Sequence, residues 1–303
     1  MIVVLLMFSV SVSASESGDN LYRIADNQVE QLSTLVPAPP MTIDLKVGEI
    51  PLARYRYISV PFKPYIDELR TPTGRNILRD APWDHLHHHG LMYALRVGEH
   101  SFWDEADPRR VGTQVTENIQ FAGNSLESEI SWNNPDARTL LKETRKITVK
   151  QGNNVTLLDW ETTLTAVEDT TLSGQHYYGL GMRFLQEMDK GGRYFNDTGL
   201  VGEIVHGDER LTRCQWMAYT ARLGEQPVTV ALFDHPANPV PMSAFTMGEV
   251  SGAFAYLAAT MNLHRVPVEL KAGETFAVRY RVALWDGEVT PEIVIRAYAE
   301  YVE

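Results

Sequence analysis

Four of the nine histidines in this 303-residue chain fall within five positions, in Trp83-Asp84-His85-Leu86-His87-His88-His89-Gly90-Leu91. Imidazole serves near neutral pH as base, acid or metal ligand, so this density marks the stretch as the chemical centre. If residues 85–89 are extended, His85, His87 and His89 point to one face and His88 to the other. Imidazoles at that spacing on a β scaffold can converge on a divalent metal, with His85 and His87 as ligands and a further side chain supplied from elsewhere. Acid–base work and metal ligation are both open to the cluster.

A second concentration is Gln175-His176-Tyr177-Tyr178-Gly179-Leu180-Gly181-Met182-Arg183. Its glycines let a ligand or another strand approach the backbone, and His, Tyr and Arg together suit elimination chemistry beside a carboxylate. The plainer alternative is a strand with two core tyrosines and a structural arginine. In Phe233-Asp234-His235-Pro236-Ala237-Asn238-Pro239, a carboxylate-oriented imidazole competes with a turn in which Asp234 and Asn238 bond their own backbone, and the turn is favoured. Asp104 and Glu105, after Phe102-Trp103, are the most visible pair for glycosidase carboxylates. Trp83, Phe102 and Trp103 flank the histidines as a sugar-stacking platform or as core.

The elements that must position these residues read as strands. Met41–Val47 and Arg54–Val60 alternate with period two; Ile119–Phe121 and Glu127–Trp132 flank Gly123-Asn124; Thr139–Val149 and Val155–Ala166 flank residues 151–154. Later strands are expected at Val228–Phe233, Ala253–Ala258, Val266–Leu270 and Thr275–Trp285, the last two joined as a hairpin through residues 271–274. Only the end reads as helix, with Thr290 as N-cap, Pro291 at the first position and an apolar stripe of Ile293, Val294, Ala297, Tyr298 and Tyr301. The expected fold is therefore all-β: one large antiparallel sandwich over residues 41–303, closed by a C-terminal helix.

Residues 1–14 form a short apolar run ending in Val12-Ser13-Ala14 and are expected to be a signal peptide, giving a periplasmic or secreted protein. Residues 15–40, with a short helix over Leu21–Leu32 and a proline cluster, read as an arm or linker. The net charge of −12 argues against nucleic acid or an anionic membrane as partner, and no membrane partner is expected after cleavage. The single Cys214 allows no intrachain disulfide and reads as a buried small hydrophobe. No G-x-S-x-G, Walker loop, dinucleotide fingerprint or C-x-x-C is present, which removes the serine-hydrolase, NTPase, Rossmann and zinc-ribbon classes.

Lys63-Pro64-Tyr65, Thr71-Pro72-Thr73-Gly74, Asp84–Leu91, Phe102-Trp103, Gly179–Arg183, Asp234–Pro239, Ala272-Gly273-Glu274, Arg279-Tyr280-Arg281 and Asp286-Gly287 resemble, in this order, the blocks of the PmoA-like domain family. A methane-oxidising membrane subunit needs several long apolar helices, and a β-patterned chain without them does not fit that label. The resemblance implies a galactose-mutarotase-like β-sandwich in a carbohydrate-utilisation setting, with members resembling dehydratases that act on terminal uronic acids of oligosaccharides. Here Leu86 stands for the usual proline, His89 for the usual basic residue and His176-Tyr177 for the usual Lys-Glu, marking a His- and Tyr-rich subgroup.

On this basis the expected activity is a carbon-oxygen lyase: a dehydratase removing water by 4,5-elimination from a terminal uronic acid. Arg183, helped by Lys63, is expected to neutralise the carboxylate; His87 or His88 to take the C5 proton; Tyr178 or His176 to protonate the leaving oxygen. His85, Trp103, Tyr177 and His235 are expected to bind the anionic oligosaccharide. The alternatives are a glycoside hydrolase or epimerase on the same substrates, and a non-catalytic carbohydrate-binding protein.

Overall fold

Two large antiparallel sheets face one another across an apolar core. The computed structural model describes residues 41–58, 62–107, 109–199, 201–202 (backbone only), 211–248 and 254–303. The expected signal peptide, arm, and helix at 21–32 lie outside these residues.

The first sheet orders β1 (Met41–Val47), β2 (Ile50–Ile58), β3 (Tyr65–Leu69), β4 (Leu91–Ala94), β12 (Gly179–Arg183), β19 (Tyr256–Thr260), β18 (Ser243–Met247) and β15 (Leu211–Arg213). The second orders β14 (Val201–Gly202), β13 (Arg193–Asn196), β16 (Trp216–Leu223), β17 (Gln226–Asp234), β21 (Thr275–Asp286), β10 (Val155–Ala166), β9 (Thr139–Gly152), β8 (Ser125–Asn133) and β7 (Thr113–Ala122). A small sheet joins β20 (Val268–Leu270), β11 (Thr170–Ser173), β5 (Arg96–Val97) and β6 (His100–Ser101). The antiparallel sandwich with a C-terminal helix, α1 (Pro291–Val302), is the fold class expected from the sequence.

Side-chain alternation explains the layers. In β10, Leu158, Trp160, Leu164 and Ala166 are buried, whereas Asp159 and Glu161 face outward. Strands β16 and β17 and the second half of β21 are buried almost continuously because both of their faces are covered there, whereas the first half of β21 alternates. Val230, Leu232 and Val282 enter the sandwich core, while Ala231, Phe233 and Ala283 pack with Trp216, Trp285 and Val294 beneath α1.

One buried polar cluster spans the core. Arg145 Nε donates to Glu143 at 2.8 Å, and its other nitrogens reach the Pro64 carbonyl at 2.9 Å and Gln114 Oε1 at 3.1 Å. Glu143 also accepts from Trp132 Nε1 at 2.7 Å and Thr162 Oγ1 at 2.9 Å. The guanidinium lies 4.7 Å from the Trp160 ring centroid. Both charges are thus desolvated but multiply hydrogen-bonded, the condition for tolerating a buried pair.

Three expectations change. Strand β20 pairs with β11, not with β21, so residues 271–274 link two sheets. The crossing is held by Gly273 N–H donating to the Ala166 carbonyl and Ala166 N–H to the Glu274 carbonyl. Strand β3, between Pro64 and Pro72, is not among the strands read from the sequence, because its five residues carry too little periodic signal to separate from loop. The histidines are not extended: His85 N–H donates to the Pro82 carbonyl and His88 N–H to the His85 carbonyl, so two successive turns replace the expected alternation.

Gly179 is indispensable to the site's scaffold. Its φ is +143°, and an added Cβ would lie 2.0 Å from the Ala259 carbonyl oxygen in the paired strand β19. Gly179→Ala should cost about 3 kcal/mol, since neither backbone can yield without breaking the ladder. Urea denaturation against wild type measures it.

Candidate active site

A cavity of 530 Å³ opens beside the first sheet, and is lined by His85, His87, His88, Trp103, Asp104, Tyr177, Phe245, Met247, Phe254 and Tyr256. Its floor follows from strand register. Tyr256 pairs with Arg183 and Met247, and Phe245 with Ala258, so alternate residues of β12, β19 and β18 share one face. Gly181 lies on the same face, and a Cβ there would meet the Tyr256 hydroxyl at 1.9 Å, so the bare backbone makes room for that ring.

The histidine turn is fixed by one carboxylate. Asp84 Oδ2 lies 2.9 Å from His85 Nδ1 and accepts from Arg183 Nη2, also at 2.9 Å. Burial alone would raise the Asp84 pKa, but the hydrogen bonds from His85 and Arg183 hold it down at about 2. An ionised carboxylate only accepts, so the His85 proton sits on Nδ1 in the neutral ring, and Nε2 keeps its lone pair.

Arg183 is 1% exposed and does not line the cavity; the Phe254 ring covers its guanidinium at 3.7 Å. Its Nη1 lies 3.5 Å from His88 Nδ1. Arginine can only donate, so this contact assigns the His88 proton to Nε2. Burial and the neighbouring His87, His85 and Arg183 push the His88 pKa down to about 2. His88 is therefore neutral at physiological pH, stacked between His85 at 4.6 Å and Tyr256 at 5.2 Å. His87 is also pushed down, by burial, Lys63 and His85.

A depressed imidazole pKa fixes the sign of a pH effect. The unfolded ring takes up a proton below about 6.5, and the folded ring does not until near 2. Stability from His88 is thus fully present above the unfolded value and declines as pH falls, by about 1.4 kcal/mol per pH unit. His88→Gln should flatten the acid side of the stability curve, which urea denaturation at pH 4 to 7 would show.

Across the cavity stand Trp103, Asp104 and Tyr177. The Tyr178 hydroxyl is 3.0 Å from Ser101 Oγ and donates to Asp104 Oδ2 at 3.3 Å, behind the Trp103 indole on which it stacks. Burial pushes the Tyr178 pKa up to about 12 and raises that of Tyr177, so both hydroxyls stay protonated.

The fold therefore gathers His85, His87, His88, Trp103 and Tyr177 of the expected site residues into the cavity lining, with Tyr178 and Arg183 directly behind. Lys63 is buried against Glu105 and the Trp103 carbonyl and does not line the cavity. His176 is not a lining residue; it packs on Tyr177 and Phe245. His235 lies elsewhere, edge-on to Tyr301 of α1, in a turn where Asp234 accepts from Asn238 Nδ2 at 2.7 Å. Asp84 was visible only as a neighbour of the histidines, and Asp104 only as one of a pair of glycosidase carboxylates whose other member, Glu105, does not line the cavity. Phe245, Phe254 and Tyr256 sit in stretches that read as plain core, and no local signal distinguishes them.

Among the described residues no three His, Cys, Asp or Glu side chains group to hold a metal ion. At the expected His85–His87 site, His85 Nδ1 is committed to Asp84 and the Arg183 guanidinium stands beside His88. His85 could still ligate through Nε2, but with His87 it makes only two donors and no third is grouped with them among the described residues, so the donor set does not fit a metal ion and no step below runs through one.

No curated protein matches the chain. Among solved structures it is similar to a variant of the α-galactosidase AgaA from Geobacillus stearothermophilus in complex with 1-deoxygalactonojirimycin, at TM-score 0.49 and 9% identity over 82% of this chain. It is also similar to an α-galactosidase from Lactobacillus brevis, at TM-score 0.49 and 10% identity over 83% of this chain. The chain spans only 41% and 40% of those two proteins. A galactose mutarotase related enzyme from Lactobacillus acidophilus is similar at TM-score 0.45 and 11% identity, over 83% of this chain and 99% of that one. The sequence match is more extensive: residues 42–299 fit one family from end to end, and the chain belongs to that family of unknown function, DUF6807.

Proposed function

We propose that this protein is a carbohydrate-active carbon-oxygen lyase that removes water from a terminal uronic acid of an oligosaccharide. The observation that carries the reading is the pair of oppositely assigned imidazoles in one cavity: His85 with a free Nε2 lone pair behind Asp84, and His88 with an Nε2–H behind Arg183. A base and a neutral N–H donor side by side are what proton abstraction next to a carboxylate requires.

In this mechanism His85 Nε2 takes the C5 proton. The electrons of that bond form the C4=C5 double bond through an enolate-like state, and the C4–O bond breaks. Negative charge developing on the carboxylate is met by His88 Nε2–H, polarised by the buried guanidinium. Tyr177, which lines the cavity and stays protonated, gives its proton to the departing hydroxide, so water leaves. Solvent returns the His85 proton to Tyr177. The cavity volume is in the range of small-ligand sites, and Trp103, Phe245 and Phe254 offer apolar faces to a sugar ring.

Hydrolysis is less well supported, because Asp104 is the sole carboxylate among the described lining residues, and a glycosidase needs two. Epimerisation of a neutral aldose is the second reading, favoured by one fact: no described lysine or arginine lines the cavity. Incubation of purified protein with oligosaccharides ending in different uronic acids tests the proposal. The expected result is ultraviolet absorbance of a conjugated unsaturated uronate with loss of one water in the mass spectrum. Absence of both across the panel overturns it, and acceleration of aldose anomer exchange by NMR would then favour epimerisation.

A further inference from the structure

A chain of buried and half-buried charges runs behind the cavity wall and takes no part in the chemistry above. Lys63 Nζ donates to the Trp103 carbonyl at 3.1 Å and pairs with Glu105. Glu105 Oε2 lies 2.9 Å from His89 Nε2, and His89 Nδ1 lies 2.7 Å from Asp80 Oδ1. Asp80 Oδ2 in turn accepts from Arg56 at 2.7 Å and from the Tyr65 hydroxyl at 2.9 Å. Signs alternate from Lys63 through Glu105, His89 and Asp80 to Arg56, so every desolvated charge has an opposite neighbour.

His89 is the link that matters. Both of its ring nitrogens face carboxylates, which only accept, and only the imidazolium has two N–H groups to give. Burial disfavours that charge, but Asp80 and Glu105 together outweigh burial and the repulsion of Lys63, and raise the His89 pKa. Tyr65 stacks on the ring at 4.3 Å, and Arg56 lies 5.5 Å from the Tyr65 centroid. These complete the charged and titratable groups facing it.

The chain joins two segments that no ladder joins. His89 ends the turn that carries His85, His87 and His88; Trp103 and Asp104 stand in the opposite wall, and Glu105 follows them in the same segment, outside any strand. We propose that Lys63, His89 and Glu105 are positioning residues that clamp the Trp103–Glu105 wall to the histidine turn, and that the clamp is closed only while His89 is protonated. Its catalytic consequence rests on the proposed function; the clamp itself does not. A raised histidine pKa means that the clamp's contribution is fully present below the unfolded value and is lost as pH rises through the folded one. The neutral ring can serve one carboxylate only. Asp80 is held beside His89 by a backbone bridge as well as by Arg56 and Tyr65, whereas Glu105 sits outside any strand with Lys63 as its other partner, so the contact to Glu105 is the one released.

Hydrogen exchange read by mass spectrometry on the full chain tests this. Glu105→Gln and His89→Gln should speed exchange at amides 103–105 about tenfold while β9 and β10 keep their protection. Wild type should show the same local loss as pH rises, after correction for intrinsic rates, and His89→Gln should show no such pH dependence. The wild-type series needs no variant and stands even if a substitution prevents folding. On whichever uronate oligosaccharide the wild type converts, Glu105→Gln should lower kcat about tenfold with KM changed by less than about twofold. Unchanged exchange at 103–105 in Glu105→Gln, equal loss in β9 and β10, or pH-independent protection in wild type overturns the clamp. If no oligosaccharide is converted, the proposed reaction fails and the exchange measurements still decide the clamp.

Discussion

His85→Gln is expected to lower turnover about a thousandfold while leaving the melting temperature within about 2 °C of wild type. His85 is part-exposed and stands on a turn, so its loss opens no core cavity. What it removes is the lone pair that Asp84 directs into the cavity. Asp84→Asn should be similarly severe. An amide at 84 can donate to His85 Nδ1 and stabilise the tautomer with its proton on Nε2, and it no longer balances Arg183. Steady-state kinetics on a converted oligosaccharide, with thermal melts alongside, separates the two effects. A His85→Gln enzyme with more than a tenth of wild-type kcat would remove His85 as the base and return that role to His87.

The largest stability effect is expected in the core. Arg145→Met should cost about 3–5 kcal/mol, because it strands the Glu143 carboxylate among apolar side chains with only neutral donors left. The corresponding fall in Tm is on the order of 10 °C. Replacing both partners, as in Glu143→Leu with Arg145→Met, should recover a large part of that loss, since no unpaired charge then remains. Equal destabilisation in the single and double variants would show that the cost lies in shape rather than charge. Neither residue approaches the cavity lining, so activity per folded molecule should hardly change.

The buried pair and the site were unequally visible in sequence for the same reason. Glu143 and Arg145 stand between Lys142, Thr144 and Lys146 in β9 as surface charges would, and only the tertiary structure reveals that Tyr55 of the facing sheet and Gln114 and Trp160 of their own close over them. The second sheet's meander from β7 to β10 was legible, because period-two alternation and Gly-Asn or Asn-Asn turns encode it locally. The β20 to β21 hairpin was misread because a turn signal reports chain reversal and not which strand receives the chain. Histidine density marked a segment that lines the cavity, but the assumption of an extended chain put His89 with His85 and His87. Two turns instead send His88 into the cavity and His89 into the charge chain behind it.

By itself the sequence determined the all-β class, the C-terminal helix and the segment that carries the imidazoles, since each is written in short-range pattern or residue type. Tertiary structure alone decided which histidine does what. A proton's place on an imidazole depends on the group facing each nitrogen, and those groups come from far along the chain: Arg183 to His88, Glu105 to His89. Of the close partners, Asp84 alone was adjacent in sequence to the ring it orients. On the proposed mechanism the cluster of four like residues becomes a base, a donor, a wall residue and a structural cation.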